Sequence, residues 1–212
     1  MMKGKIKPGY EHISVHMIFD IKMGGNFTRK ARSVADGHTT SPPSSITYSS
    51  FVSRESVSNA FILAYLNDLD IFACGICNAY LNAKCREKIW IEAGTEFGTE
   101  KGMVMIIERV LYGLKSSGAA WRAKLSESLM PLGYNSSEAD ADLWMKRDFK
   151  KNGYLYYKYM LFYVYDLLHV GFKPKEDMDA LNIIYRLKNG FVPPDQYIVA
   201  NVDKVQFKGV QI

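Results

Sequence analysis

Residues 155–170 read LYYKYMLFYVYDLLHV, and this stretch decides the fold. It is almost wholly apolar and aromatic, and it is interrupted at Tyr165 and Asp166. The run is too long for one ordinary strand, and its aromatic and β-branched content disfavours a helix. The sequence therefore predicts a β-hairpin with its tip at residues 164–166.

Periodic segments on both sides of the hairpin add helices and further strands. Helical spacing predicts amphipathic helices over residues 53–69 and 117–132, the second closed by Gly133, and Pro174 opens a third helix that runs to about residue 187. Strands are expected at residues 15–21, 27–35, 71–77, 103–107 and, as a terminal pair, 197–207, with a tight turn at 24–26 and a long loop at 36–50. This order predicts an α+β fold in which two helices pack on one face of an antiparallel sheet, the split βαβ arrangement.

Charge is distributed unevenly along the 212 residues, whose formal net charge is +5. A basic front end suits contact with phosphates, although a solvated lysine-rich terminus explains the same composition. The first 32 residues contain the cations Lys3, Lys5, Lys7, Lys22, Arg29, Lys30 and Arg32.

The cysteines do not form the pattern of a zinc site or a disulfide framework. Cys74 and Cys77 are three residues apart, but in a predicted strand such residues face opposite ways. Free thiols, Cys85 included, are expected in a reducing compartment. The chain has neither the apolar run of about 18–20 residues that spans a bilayer nor a signal-type start, so we expect an intracellular protein, cytoplasmic or nuclear.

Six segments, in order, resemble the reverse transcriptase of Ty1/copia-type retrotransposons. One such hexapeptide is weak evidence, whereas several in register are specific, and together they span about residues 15–207. The segments are KARSVADGH at 30–38, NAYLN at 78–82, LYGLKS at 111–116, Trp121, LGYNSSEAD at 132–140 and YVYD at 163–166.

The resemblance implies the fingers and palm of a right-hand polymerase, with the split βαβ sheet as the palm. The fingers are then expected at residues 1–58 and 83–118, and the palm at 59–82 and 119–212. The family's protein is normally part of a polyprotein with protease, integrase and RNase H parts, and a thumb is expected to be absent or vestigial here.

The resemblance also implies a metal site that has lost two of its three carboxylates. The family places aspartates at positions 75, 165 and 166, where this chain has Gly75, Tyr165 and Asp166. Nucleotidyl transfer uses two Mg²⁺ ions about 4 Å apart, and Mg²⁺ prefers carboxylate and phosphate oxygens. Asp166 alone is expected to bind metal weakly, so we expect little or no polymerase activity.

Nearby acidic residues do not compensate for this loss in the sequence. Asp70 is five residues before Gly75, so a strand carries it about 16 Å away and onto the other face. Asp68 lies in the preceding helix, and the sequence alone does not bring Asp140 or Asp142 to the site. Two milder departures, Cys77 and Val199, belong to the same neighbourhood.

Other positions match the nucleotide-binding residues that the resemblance implies. Lys30 and Arg32 match a basic fingers strand that contacts phosphates, the alternative being surface cations. Tyr80 matches the aromatic under the sugar, or it is a core aromatic; Gly113 and Lys115 match a loop on the template and nucleotide side, or they form a plain turn.

Three outcomes remain open at this point. The chain is a degenerate, inactive reverse transcriptase (an RNA-directed DNA polymerase by family), or a non-catalytic module that binds nucleic acid (RNA template or DNA primer) through the retained scaffold. The third is that the product never folds stably, because a truncated palm exposes strand edges.

Overall fold

The computed structural model describes residues 6, 8–22, 27–44 and 47–185, and these contain ten strands and three α-helices. The helices are α1 (Arg54–Leu66), α2 (Ser117–Leu129) and α3 (Pro174–Ile184). The strands are β1 (Glu11–His12), β2 (Val15–Lys22), β3 (Thr28–Ala35), β4 (Asp70–Gly75), β5 (Ile89–Glu92), β6 (Val104–Ile106), β7 (Asn135–Ser136), β8 (Leu143–Phe149), β9 (Leu155–Tyr163) and β10 (Asp166–Gly171). The fold is mixed α+β, as the sequence predicts.

The described residues divide into two compact units. Unit 1 runs through Ser49 and resumes over Asn78–Lys124, and unit 2 comprises Ser50–Cys77 and the described residues from Leu125 onward. The chain therefore passes between the units more than once, and residues that are distant in sequence share a core in each.

Unit 1 contains two small sheets. β2 and β3 form an antiparallel ribbon from Val15↔Ala35 to Lys22↔Thr28. In the other sheet β5 pairs in parallel with β1 and antiparallel with β6. A shared apolar core lies under these strands and is formed by Ile13, Ala35, Ile89, Ile91, Ile107 and Leu114.

Unit 2 is built on the predicted hairpin, which lies at the centre of a five-stranded antiparallel sheet. The strand order is β4-β10-β9-β8-β7. β9 and β10 are largely buried along their lengths, because strands cover both of their edges and helices cover parts of both faces. β4, which precedes the NAYLN motif at 78–82, pairs directly with the returning arm of the hairpin.

The helices of unit 2 lie on both faces of this sheet, which corrects the expectation that they share one. α1 packs through Ala60 and Ala64 in a cluster with Ile71 and Val170. On the opposite face, Met178 of α3 contacts Cys74, with 3.8 Å between the two sulfur atoms. The end of α2 lies beside the end of α3, since Ser128 hydrogen-bonds to Tyr185 just after α3.

Helices cover both faces of the sheet because its strands are apolar on both sides. Ile71 and Phe72 are adjacent in β4, point to opposite faces and are both buried. A strand that is apolar on both sides needs cover on both sides, as in buried sheets generally. α1 therefore supplies the cover on the face that the split βαβ pattern leaves open.

Most predicted elements form within a few residues of their expected bounds. Gly133 closes the predicted second helix with a left-handed φ of +85°, after a single 3-10 turn, Met130–Leu132. The strands β1, β5, β7 and β8 were not predicted. β1 and β7 have two residues each, which is too short for a detectable alternation of apolar and polar residues. The predicted turn at 24–26, the end of the third helix beyond Tyr185 and the strand pair at 197–207 lie outside the described residues.

Candidate active site

The tip of the hairpin is a two-residue loop, Val164 and Tyr165, between Tyr163 and Asp166. Val164 has a φ of +58°, while Tyr165 has no such value, which is the backbone pattern of a II′ hairpin turn. A β-branched residue in this region is strained by about 1–3 kcal/mol, and the paired strands hold it there. The paired strands therefore fix the position of the residues that begin β10.

The strand register brings two of the predicted site positions together. Asp166 on β10 pairs directly with Gly75 on β4, and the amide of Ile76 donates to the carbonyl of Tyr165 over 2.9 Å. Directly opposed residues in antiparallel strands share a face, with Cβ positions about 4.5–5.5 Å apart. Carboxylates at positions 75 and 166 would thus share one metal, and position 165 adjoins them.

The side chains present at this point supply one carboxylate. Asp166 is exposed, Tyr165 offers a half-buried phenol and Gly75 has no side chain. Within the described part of the chain, no group of three or more histidines, cysteines, aspartates or glutamates is placed to hold a metal. The residues therefore do not fit the pair of Mg²⁺ ions that the family's chemistry requires.

Nearby ionisable groups do not replace the missing ligands. Burial, and then the charge of Asp166, raise the pKa of Cys74 to about 12, so this thiol stays protonated on the opposite face of β4. Asp70 pairs with Gly171 at the far end of the same strands. Burial, followed by the charge of Asp68, raises the pKa of Asp70, and it lies too far along the strand to reach Asp166.

Asp140 and Asp142 have structural partners at the start of α1. Asp140 Oδ2 accepts hydrogen bonds from the Ser53 amide at 2.9 Å and from Ser56 Oγ at 2.6 Å. Asp142 accepts from the hydroxyl of Ser50. The acidic end of the 132–140 motif therefore caps a helix, a role that sequence reasoning missed because 87 residues separate Asp140 from Ser53.

The basic candidates Lys30 and Arg32 lie on β3 in unit 1, on one face of the ribbon. Asp20 is opposite Lys30 and lies 3.9 Å from Arg32 Nη1, with side chains that are 32% (Arg32) and 56% (Asp20) exposed. An exposed pair at this distance is worth at most about 1 kcal/mol. The guanidinium can therefore exchange this partner for a phosphate at little cost.

Tyr80 occupies the 3-10 turn Ala79–Asn82 and is half-buried. Its ring contacts that of Tyr112 edge-on, with centroids 4.8 Å apart at 68°. The ring is thus partly engaged in the packing of unit 1 and partly open to solvent.

Gly113 and Lys115 make contacts within unit 1. Gly113 has a φ of +92°, and a Cβ there would lie 2.0 Å from the carbonyl oxygen of Ala35. The ammonium of Lys115 donates to the carbonyl of Thr40. The glycine thus permits a close approach of two backbone segments, and the lysine ties the same loop to the end of the 3-10 turn Gly37–Thr39 that follows β3.

Two remaining expectations concern cysteines and membranes. Cys74, Cys77 and Cys85 are not in disulfide bonds, with Cys74 buried and the other two half-buried. Among the helices that the structure describes, none is both long and apolar enough to cross a bilayer. Val199 lies outside the described residues.

A family model described as reverse transcriptase (RNA-dependent DNA polymerase) matches residues 7–189. The chain belongs to the reverse transcriptase family. The match covers both units and every motif that carries the resemblance up to Asp166, and no solved structure matches the chain.

Two transposon proteins show which reverse transcriptases are similar. The retrovirus-related Pol polyprotein from transposon TNT 1-94 of Nicotiana tabacum is 29% identical over 126 residues, which are 58% of this chain and 9% of that protein. The transposon Ty1-BL Gag-Pol polyprotein of Saccharomyces cerevisiae is 32% identical over 120 residues, 56% of this chain and 7% of that protein. These names confirm the Ty1/copia-type assignment, and the match spans under a tenth of each polyprotein.

Proposed function

We propose that the chain is a Ty1/copia-type reverse transcriptase domain that has lost polymerase activity. The pairing of Asp166 with Gly75, next to Tyr165, is the observation that carries the proposal. The strands that would bring the metal-binding carboxylates together are intact, and two of the three positions have no carboxylate. In this proposal unit 1 corresponds to the fingers and unit 2 to the palm.

The chemistry explains why this loss is decisive. In nucleotidyl transfer one metal activates the attacking hydroxyl and the other neutralises the triphosphate, and both depend on shared carboxylates. Mg²⁺ surrenders its hydration water reluctantly and needs several oxygen ligands in octahedral geometry. Asp166 supplies one side chain, so neither ion is fixed where the reaction needs it.

Primer extension tests the proposal directly. The chain, with an RNA template, a DNA primer, deoxynucleotides and Mg²⁺, is expected to extend no primer above a protein-free control. Mg²⁺-dependent extension that disappears on addition of chelator would overturn the proposed inactivity.

A metal-binding measurement tests the cause of the loss without requiring turnover. The Gly75→Asp/Tyr165→Asp variant should gain a site for Mn²⁺, a paramagnetic substitute for Mg²⁺, and its unfolding temperature should rise with Mn²⁺ concentration. At 100 times the dissociation constant the gain in unfolding free energy is about 2.7 kcal/mol. The same variant with Asp166→Asn is the matched control and should lose the response; an equal response in the unaltered chain contradicts the argument.

A second candidate function is nucleic-acid binding without catalysis. The arrangement of Lys30 and Arg32 on one face of the β2–β3 ribbon favours it, since both cations can face a phosphate backbone. Binding of a primer–template duplex should weaken steeply with salt, and Lys30→Gln/Arg32→Gln should lower the slope of log K against log salt by up to about 2. Lys175→Gln, at an exposed position of α3, is the matched control. An unchanged slope in the double variant would exclude the ribbon as the binding surface.

A further inference from the structure

A cluster of ionisable side chains is buried between the hairpin sheet and α3. Lys158 of β9 lies at its centre, with Nζ 2.7 Å from Asp148 Oδ2 on β8 and 3.0 Å from Asp177 Oδ2 on α3. The lysine side chain is 11% exposed and that of Asp177 13% exposed. Lys158 Nζ also donates to Asp177 Oδ1 over 3.2 Å, while Asp177 Oδ2 has no hydrogen-bond partner. One cation thus joins two strands and a helix through ion pairs, an arrangement that is costly to break because a buried charge then loses its partner.

His169 of β10 extends the cluster toward the end of α2. Its side chain is fully buried, with Nε2 3.1 Å from the hydroxyl of Tyr134 and 3.5 Å from Asp177 Oδ2. Nδ1 is buried and has no hydrogen-bond partner. Nε2 faces Tyr134 and the Asp177 carboxylate, so we assign the ring proton to Nε2. The lone pair of Nδ1 is then buried and accepts no hydrogen bond.

Charged, polar and apolar groups from several elements surround His169. α3 presents Asp177, β9 presents Lys158, and Asp148 of β8 lies beyond that lysine. β4 presents the apolar Phe72 directly opposite, with the thiol of Cys74 two positions along the same face. The other titratable groups of the cluster are the hydroxyl of Tyr134 and, at the edge next to Asp148, the hydroxyl of Tyr156.

We propose that this cluster is a pH-sensitive latch, in which neutral His169 keeps α3 docked on the sheet and acidification releases α3 as a local unit. The docked state has no place for a second proton on the imidazole, because Nδ1 is enclosed. Undocking exposes the ring to water, where the proton binds freely. Acid therefore favours the undocked state by mass action.

The direction of the pH dependence follows from the two states of the histidine. Burial, and then the charge of Lys158, lower the pKa of His169 to about 3 in the docked state. In the undocked state the ordinary value of about 6.5 applies. The undocked state therefore binds more protons below pH 6.5, and the equilibrium shifts toward it by up to about tenfold for each pH unit between 6.5 and 3.

α3 has the properties of an element that opens locally. It is eleven residues long, and it docks through Pro174, Met178 and Leu181, while Ile183 on its outer side is 88% exposed. Besides the charged cluster, these three buried apolar side chains hold the helix, so we expect α3 to open without unfolding of the sheet. Because β10 carries both Asp166 and His169, release of α3 uncovers the rear of the strand that begins the candidate active site.

Amide hydrogen exchange between pH 5 and 7.5, corrected for the intrinsic rate, tests the latch in the full chain. The protection of amides in α3 is expected to fall by up to about tenfold for each pH unit below 6.5, while amides of β9 and β10 away from the helix lose less. Asp148 titrates below this window, because burial tends to raise its pKa but hydrogen bonds, foremost from Lys158, lower it overall. Equal loss of protection in helix and sheet, or no pH dependence in α3, overturns the proposal.

Two further measurements separate the latch from general acid sensitivity. His169→Leu should abolish the pH dependence of α3 protection, whereas His16→Gln, at an exposed histidine of unit 1, should leave it intact. In the unaltered chain the NMR signal of the Cε1 proton of His169 should not titrate between pH 5 and 7.5 while α3 stays protected. This readout is available even if the leucine variant fails to fold. Retention of the dependence in His169→Leu, or titration of His169 near pH 6.5 with α3 docked, refutes the latch.

Discussion

Replacing Asp140 should destabilise the chain by uncapping α1. Its carboxylate accepts from the Ser53 amide at 2.9 Å, from Ser56 Oγ at 2.6 Å and from the Asp142 amide at 3.1 Å. Ser53 is itself the N-cap, and its Oγ accepts from the Ser56 amide at 3.1 Å. The negative charge also lies at the positive end of the helix dipole, where it is favourable.

The magnitude follows from the donors that the substitution leaves without an acceptor. Asp140→Ala leaves three partly buried donors without an acceptor. Because water reaches the site, each costs about 0.5–1 kcal/mol, so the loss of unfolding free energy is about 2 kcal/mol. Asp140→Asn keeps an acceptor oxygen and loses the charge, so it should cost about 1 kcal/mol. For a chain of this size 2 kcal/mol corresponds to a fall of about 4–8 °C in unfolding temperature.

The pH dependence provides an independent check of the same contacts. Burial alone would raise the pKa of Asp140, but the hydrogen bonds from Ser56, Ser53 and Asp142 lower it overall. The carboxylate therefore stabilises the fold above its unfolded pKa of about 3.9, and this contribution is lost as the pH falls through the lower folded value. The stabilities of the unaltered chain and of Asp140→Asn should converge in acid.

Urea unfolding at pH 7 is the assay, and Glu138→Ala is the control, since Glu138 is exposed two residues away. The control should lie within about 0.5 kcal/mol of the unaltered chain. A loss below that limit for Asp140→Ala would refute the capping role. A change of stability on addition of Mg²⁺ that depends on Asp140 would instead make this residue a metal ligand.

Two backbone predictions concern positive φ. Gly113→Ala should cost about 3 kcal/mol or more, because a Cβ meets the Ala35 carbonyl oxygen at 2.0 Å; Gly153→Ala, with a φ of +80° and no neighbour within 4 Å, isolates the backbone strain and should cost about 1 kcal/mol. Equal losses in thermal unfolding would contradict the close approach. Val164→Gly should stabilise the chain by about 0.5–1.5 kcal/mol, since it relieves a β-branched residue at a φ of +58°. A lower unfolding temperature for this variant would show that the turn is not strained.

Local patterns predicted the elements whose own residues specify them. The aromatic run 155–170 forms β9 and β10, and helical spacing with Ser53 in front of it gives α1. β8 escaped prediction because Lys146, Arg147 and Asp148 resemble a solvated loop in sequence. In the fold Asp148 meets the buried Lys158, so its charge is a packing feature that only the partner reveals.

The sequence likewise predicted one part of the candidate site, while the other part depends on how the strands pair. The proposed loss of carboxylates at positions 75 and 165 comes from comparison of the sequence with the family's motifs. The pairing that brings Gly75 against Asp166 depends on two strands whose contact residues lie some ninety positions apart. Periodicity carries no information about such a pairing, because it describes a strand and not its neighbour.

The sequence by itself determined the family and the hairpin, since each is encoded by consecutive residues. The tertiary structure alone decided that α1 covers the face opposite α3, that Asp140 caps a helix and that His169 is enclosed beside Lys158 and Asp177. The physical reason is common to all three. Burial and hydrogen bonding are completed by partners distant along the chain, and only folding brings those partners within reach.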